Sequence, residues 1–233
     1  MAVKKYDTLI IIPVYNERVN INKVISSLQA SFQQADILIV NDGSTDNTQE
    51  ELLHKDVFTI RHVFNLGVGS SFQTGCRFAA IHNYNYIVRM DGDGQHNPAF
   101  INNILFPVRE GKVDIAIGSR FLGNSKFKSS FPRRIGIAVI STVLALITKK
   151  RFTDPTSGFC AMNKHAFGFF AKTCAEDYPE PEIFLHHRNY RITEVPISME
   201  KRSSGFSSIN SLKSVYYMYK VLFSMLARAF RKE

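Results

Sequence analysis

Two short runs of branched apolar residues constrain this chain most. Thr8–Val14 (TLIIIPV) and Ile37–Val40 (ILIV) show no polar alternation. Such runs mark strands buried on both faces, as in a parallel sheet. Between them, Ile21, Val24, Ile25 and Leu28 recur at helical spacing within the stretch Asn20 to Ala35. A strand, a crossover helix and a second strand make a βαβ unit.

The alternation continues. The residue pattern predicts a helix from Thr48 to His54 and a strand from Thr59 to Phe64. A helix from Gly69 to Asn83 follows, with Phe72, Cys76, Ala79 and Ala80 on one side. A strand from Tyr86 to Met90, a helix from Pro98 to Glu110 with Pro98 in its first turn, and a strand from Ile115 to Gly118 complete the series. Strands alternating with helices predict an α/β fold, a Rossmann-like, mostly parallel central sheet flanked by helices. No linker or low-complexity stretch interrupts the chain, so residues 1–233 read as one domain. Its parts are 1–120, 121–208 and a C-terminal amphipathic helix in 209–233. After Arg120 the pattern is a basic polar stretch, the apolar run RRIGIAVISTVLALITKK (residues 133–150) and a polar stretch to Glu182. A strand at Ile192–Pro196 and a basic loop at Lys201-Arg202 precede the last helix.

The 233 residues are 45% hydrophobic and 21% charged, enough to bury a core, which excludes a disordered chain. The formal charge of +9 predicts an anionic partner: nucleic acid, an acidic lipid surface or a phosphorylated substrate. Three cysteines, Cys76, Cys160 and Cys174, fit no zinc spacing and are consistent with a reducing, cytoplasmic setting. The start of the chain does not read as a signal peptide, and no stretch reaches the roughly 18 apolar residues that span a bilayer. The expectation is a soluble or peripheral protein.

In open α/β sheets, ligands bind beyond the carboxyl ends of the strands, and the polar residues of interest follow those ends. Tyr15, Asn16 and Glu17 follow the first strand, Asp42 the second, and Asp91-Gly92-Asp93-Gly94-Gln95-His96 the fourth. Converging carboxylates repel one another unless a positive charge lies between them. Asp91 and Asp93 are therefore candidate ligands for a hard divalent ion, Mg²⁺ or Mn²⁺, sharing it with a diphosphate. A plain Asp–Gly turn accounts for the same residues. The stretch lacks the closing glutamate of an EF-hand, there is no Walker A sequence, and Asn65-Leu66-Gly67-Val68-Gly69 lacks the spacing of a dinucleotide fingerprint. That last segment reads as a glycine turn capping a helix.

Six motifs stand in order: Pro13-Val14-Tyr15-Asn16-Glu17, Asn41 to Asp46, Asn65-Leu66-Gly67, Asp91 to His96, Gly118-Ser119-Arg120 and Asp154 to Phe159. Together they resemble the family 2 glycosyltransferases of GT-A fold, in the branch of dolichol-phosphate mannose synthases and bacterial polyprenyl-phosphate glycosyltransferases. The resemblance implies an inverting, metal-dependent transfer from a UDP- or GDP-linked sugar. The acceptor would be a polyprenyl phosphate or a lipid-linked cell-surface polysaccharide, with residues 1–120 binding the donor and 121–208 the acceptor. It implies that Pro13, Tyr15, Glu17 and Asp42 line the nucleoside. Asp91 and Asp93 would hold metal and diphosphate with Gln95 beside them, Arg120 would meet donor or acceptor phosphate, and Arg202 would close over the diphosphate. Asp154 is the first candidate general base, with Glu182 and Glu180 as rivals.

Residues 133–150 and the C-terminal helix carry apolar centres with basic flanks, which predicts attachment to the inner face of the cell membrane. Packing on the sheet, a second copy of the chain or a membrane-protein partner would use the same surfaces. Two other functions compete. A sugar nucleotidyltransferase would carry a basic glycine-rich loop after the first strand, and Tyr15-Asn16-Glu17 is not one. A non-catalytic nucleic-acid-binding module would need a basic face with interleaved aromatics, whereas acids crowd this rim.

Overall fold

The computed structural model describes residues 3–123, 131–173, 179–200, 221–223 and 225, with the backbone alone at 131–133. The loop carrying Arg202, Cys174 and most of the expected C-terminal helix lie outside these residues.

Among the described residues, seven strands form one sheet in the order β3-β2-β1-β4-β6-β5-β7. They are β1 (Thr8–Val14), β2 (Asp36–Asn41), β3 (Phe58–Arg61), β4 (Tyr86–Arg89), β5 (Ile115–Ser119), β6 (Cys160–Asn163) and β7 (Ile192–Pro196). All pairings are parallel except those of β6, which runs antiparallel to both β4 and β5. Six carboxyl ends therefore share one edge, and β6 enters the sheet from that same edge. The mostly parallel sheet expected from the sequence is present. The reversed strand was not expected, because CAMN is short, carries little β-branching and sits in a polar stretch.

Both central strands are buried throughout. Alternate residues of β1 feed two cores. Leu9 and Ile11 face α3 (Val68–Ile81), α5 (Phe131–Thr148) and α6 (Lys164–Lys172). Ile10, Ile12 and Val14 face α1 (Ile21–Ser31) and α4 (Ile101–Arg109). The buried face of α1 consists of Ile21, Val24, Ile25 and Leu28, the four residues picked out by periodicity. On α3, Phe72, Cys76 and Ala79 are buried but Ala80 faces solvent, since it lies one step off the stripe. The helix after Asp46 is cut to α2 (Thr48–Glu51), and the chain turns at His54 with φ 64°. A 3₁₀ turn at Pro98–Phe100 replaces the first turn of the helix expected from Pro98. Helices α6 and α7 (Pro179–Leu185) occupy the stretch read as polar.

Candidate active site

The strand order reverses between β1 and β4, and in open α/β sheets ligands bind beyond the carboxyl ends at such a switch point. On the β1 side, two loops are laced by their own side chains. Asn16, with φ 56°, accepts from the Thr45 and Asp46 amides through Oδ1 and donates its amide to Ser44 Oγ. The Glu17 amide donates to Thr48 Oγ1, and the Arg18 amide to Asp46 Oδ2. Glu17 Oε2 accepts from Asn20 at 2.7 Å. Tyr15 is exposed at this rim, while Pro13 is buried within β1.

Asp42 organises the next loop. Its Oδ1 accepts from the Leu66 amide at 3.0 Å and faces His62 Nδ1 at 2.7 Å; its Oδ2 accepts from the Gly67 amide at 2.8 Å. His62 Nε2 in turn meets Thr74 Oγ1 at 3.0 Å. The segment 64–65 passes so close to Gly43 that a Cβ there would lie 2.5 Å from the Phe64 carbonyl carbon, and Gly43 has φ +69°. Only glycine suits both demands. The sequence expectation gave Asp42 to the nucleoside; the structure turns both of its oxygens to the chain's own loop.

The loop after β4 presents Asp91 and Asp93. The Asp91 side chain is 39% exposed, and Asp93 Oδ1 accepts from the Gln95 amide in an Asx turn. His96 is buried and stacks on Phe159 with ring centroids 5.0 Å apart. Its Nδ1 accepts the Asp91 amide at 3.0 Å, which places the ring proton on Nε2, 3.7 Å from Asp91 Oδ2. Burial holds the His96 pKa below the ordinary imidazole value, against the upward pull of Asp91 and Asp93. The chain after β7 fastens to this loop: the Glu200 amide donates to Gln95 O, and Met199 bridges to His96.

Directly beneath Asp91 lies a residue that sequence reasoning did not assign, Arg89 of β4. Its side chain is 1% exposed, with Nη2 2.5 Å from Glu180 Oε1 and 3.8 Å from Asp91 Oδ1. Burial pulls the guanidinium down, but Glu180 and Asp91 more than offset it and hold the pKa above the ordinary arginine value. Gly158 makes the fit possible, since a Cβ there would stand 3.2 Å from both Arg89 Nη2 and Asp91 Oδ1. An arginine inside an otherwise apolar strand, YIVRM, is the signal that would have found it, because a buried cation needs an anion nearby. Cys160 is buried close by and pushed up to about 12 by desolvation, so it is no nucleophile.

Beyond β5, Arg120 and Asp154 form a buried bidentate pair. Nε and Nη2 reach Oδ2 and Oδ1 at 2.6 Å each, and the Arg120 amide adds a third bond to Oδ2. Nη2 also donates to Thr156 Oγ1 at 2.7 Å. The structure gives both of these expected site residues a partner within the chain. Asp154 is 0% exposed and has both oxygens on a guanidinium. Arg120 directs its fork at Asp154. Of the two acids on α7, the one joined to Arg89 is Glu180; Glu182 is buried, 4.0 Å from His186 Nε2 one turn along.

Asp91 and Asp93 supply hard oxygen donors suited to Mg²⁺ or Mn²⁺. Among the described residues, no three His, Cys, Asp or Glu side chains gather to hold an ion by themselves. An ion here would share the two aspartates with diphosphate oxygens, which fits the open face of Asp91.

The model of Glycosyl transferase family 2 matches residues 9–169. The polyprenol monophosphomannose synthase of Mycolicibacterium smegmatis is 28% identical over 226 residues, covering 92% of this chain and 85% of its own. The UDP-N-acetylglucosamine–dolichyl-phosphate N-acetylglucosaminyltransferase of Methanococcus voltae is 30% identical over 210 residues, covering 81% and 83%. Among solved structures, glucosyl-3-phosphoglycerate synthase from Mycobacterium tuberculosis in complex with UDP superposes with a TM-score of 0.71 at 16% identity. The match covers 97% of this chain and 81% of that one.

Proposed function

The chain belongs to glycosyl transferase family 2, and from that premise we propose that it moves a sugar from a nucleotide diphosphate-sugar to a polyprenyl phosphate at a membrane surface. The family match sets aside the nucleotidyltransferase and nucleic-acid-binding readings. The observation that carries the acceptor assignment is the state of the acceptor-side carboxylates. Asp154 and Glu180 are each locked on a buried arginine, and Glu182 is buried beside His186. A hydroxyl acceptor needs a general base, whereas a phosphate arrives already ionised. Two relatives point the same way: one is named for a polyprenol and the other for dolichyl phosphate, while their sugars differ.

In the proposed reaction the acceptor phosphate oxygen attacks the anomeric carbon opposite the leaving group. The bond from that carbon to the donor diphosphate breaks, and its electron pair stays on the diphosphate oxygen. A divalent ion held by Asp91 and Asp93 would supply positive charge against that oxygen. The laced loops at Tyr15–Glu17 and Asn41–Thr48, with Asp42 fastening residues 66 and 67, form the floor for the nucleoside. His96 orients Asp91. Preorganised charge of this kind is the main source of rate in such transfers.

The membrane surface would meet α5. Its inner face, Ile137, Ile140 and Leu144, is buried, while Ile135, Val139 and Leu146 on the outer side are exposed. Arg134, Lys149 and Arg151 are exposed at its ends, a pattern suited to acidic head groups. No helix among the described residues is long and apolar enough to cross a membrane.

The test is nucleotide release from UDP-, GDP- and dTDP-sugars with Mg²⁺ or Mn²⁺, with and without polyprenyl phosphate. The proposal expects release that depends on both metal and polyprenyl phosphate, and its loss by orders of magnitude in a folded Asp93→Ala variant. Release that is indifferent to polyprenyl phosphate would overturn the acceptor. Near-normal turnover of Asp93→Ala would overturn the metal site. Pelleting with acidic liposomes, weakened by salt, checks the membrane face.

A further inference from the structure

Arg89 sits between two carboxylates at unequal distances: Nη2 is within hydrogen-bond reach of Glu180 at 2.5 Å and only at ion-pair distance from Asp91, 3.8 Å. Its Nε and Nη1 make no hydrogen bond to any described residue. The guanidinium lies over the Phe72 ring, 5.3 Å from its centroid, a contact that does not fix its rotation. Among the described residues, then, Glu180 provides its one directional hold. Gly158, without a side chain, leaves the space between Arg89 and Asp91 unfilled.

We propose that Glu180 is a positioning residue that holds Arg89 back from Asp91 and so keeps the Asp91 carboxylate available to a divalent ion. A buried arginine deprived of one anion turns to the nearest other, since an unpaired buried charge is strongly disfavoured. Here the nearest other is Asp91, about an ångström beyond bonding distance. In a Glu180→Gln variant, the amide keeps the shape of the side chain but not its charge. Arg89 then pairs with Asp91 and occupies the oxygens that the ion needs. Because Glu180 lies in the first turn of α7, this arrangement ties the acceptor-side helix to the metal loop. The inference rests on Asp91 being a metal ligand, as proposed above.

Mn²⁺ binding to the full chain, followed by the electron paramagnetic resonance signal of free Mn²⁺ in the presence of UDP and, separately, GDP, tests it without recourse to turnover. Thermal unfolding is read alongside. Saturable nucleotide-dependent Mn²⁺ binding by the unaltered protein tests the underlying metal assignment, so its failure is distinguishable from failure of the inference. Glu180→Gln is expected to weaken Mn²⁺ binding about tenfold, in the range found for groups behind metal ligands. The paired variant Arg89→Met with Glu180→Met removes both the competitor and its keeper, and is expected to bind Mn²⁺ within about threefold of the unaltered protein. Unchanged binding in a folded Glu180→Gln overturns the inference. Equal weakening in both variants also overturns it, because the pair would then be mere scaffolding. Should Glu180→Gln fail to fold, the paired variant decides alone: a tenfold loss there overturns the inference.

Discussion

His96 takes the Asp91 amide hydrogen on Nδ1 at 3.0 Å, and its Nε2 stands 3.7 Å from Asp91 Oδ2. The main chain of the aspartate is thus fixed by a ring itself pinned against Phe159. Replacing His96 by Phe keeps the stacking surface but removes the acceptor. We expect a folded protein whose half-saturating Mn²⁺ concentration for nucleotide release rises about 10- to 100-fold. An unchanged metal requirement in H96F would deny the histidine this part.

Asp154 distinguishes a structural ion pair from a catalytic base. If it only neutralises Arg120, Asp154→Asn leaves a buried guanidinium uncompensated and lowers stability by about 3–5 kcal/mol. Chemical denaturation measures this directly. A general base would instead give an Asn variant of near-normal stability and little turnover.

Gly158→Ala adds one methyl group 3.2 Å from both Arg89 Nη2 and Asp91 Oδ1. Few real contacts are that tight, so the Asp91 carboxylate must be displaced. The expected outcome is a stability loss of about 1–3 kcal/mol together with a raised metal requirement, read from melting and metal titration of the same sample.

Acid stability has a separate local source. Asp114 accepts from the side chain and amide of Arg191, and these bonds hold its carboxyl down at about 2, against an ordinary 3.8. A depressed folded-state pKa means that this contribution is complete above pH 3.8 and is lost as pH falls toward 2. With Arg191 largely exposed, solvent screening limits it to about 1 kcal/mol. Asp114→Asn should lower stability by that amount at pH 7 and by almost nothing near pH 2, as thermal melts at the two pH values will show.

The parallel half of the fold was legible because burial on both faces leaves a signature in single strands: TLIIIPV and ILIV can sit almost nowhere else. The rim was legible for the same reason, since ligand-facing residues must follow those strands. What the sequence concealed was pairing. Asp154 and Arg120, 34 positions apart, were each read as active toward substrate, yet they neutralise one another. Arg89 went unassigned because its partner Glu180 lies 91 positions away. Motif side chains were equally two-sided. Asn16, Ser44 and Asp46 stand in motifs at the rim, and in space they join Thr48 in stitching two turns together. Strand β6 escaped notice because four residues offer too little periodicity to register.

The placement of β6 between β4 and β5 has a consequence for dissection of the molecule. Within residues 1–120, β5 has no hydrogen-bonded neighbour, since both of its partners, β6 and β7, come later in the chain. A fragment cut after Arg120 would strand β5 and bare the flank of β4, an open edge prone to aggregate. Residues 1–120 and the rest of the chain are therefore woven rather than appended. Separately expressed fragments should stay insoluble alone and recover a folded signal only when mixed.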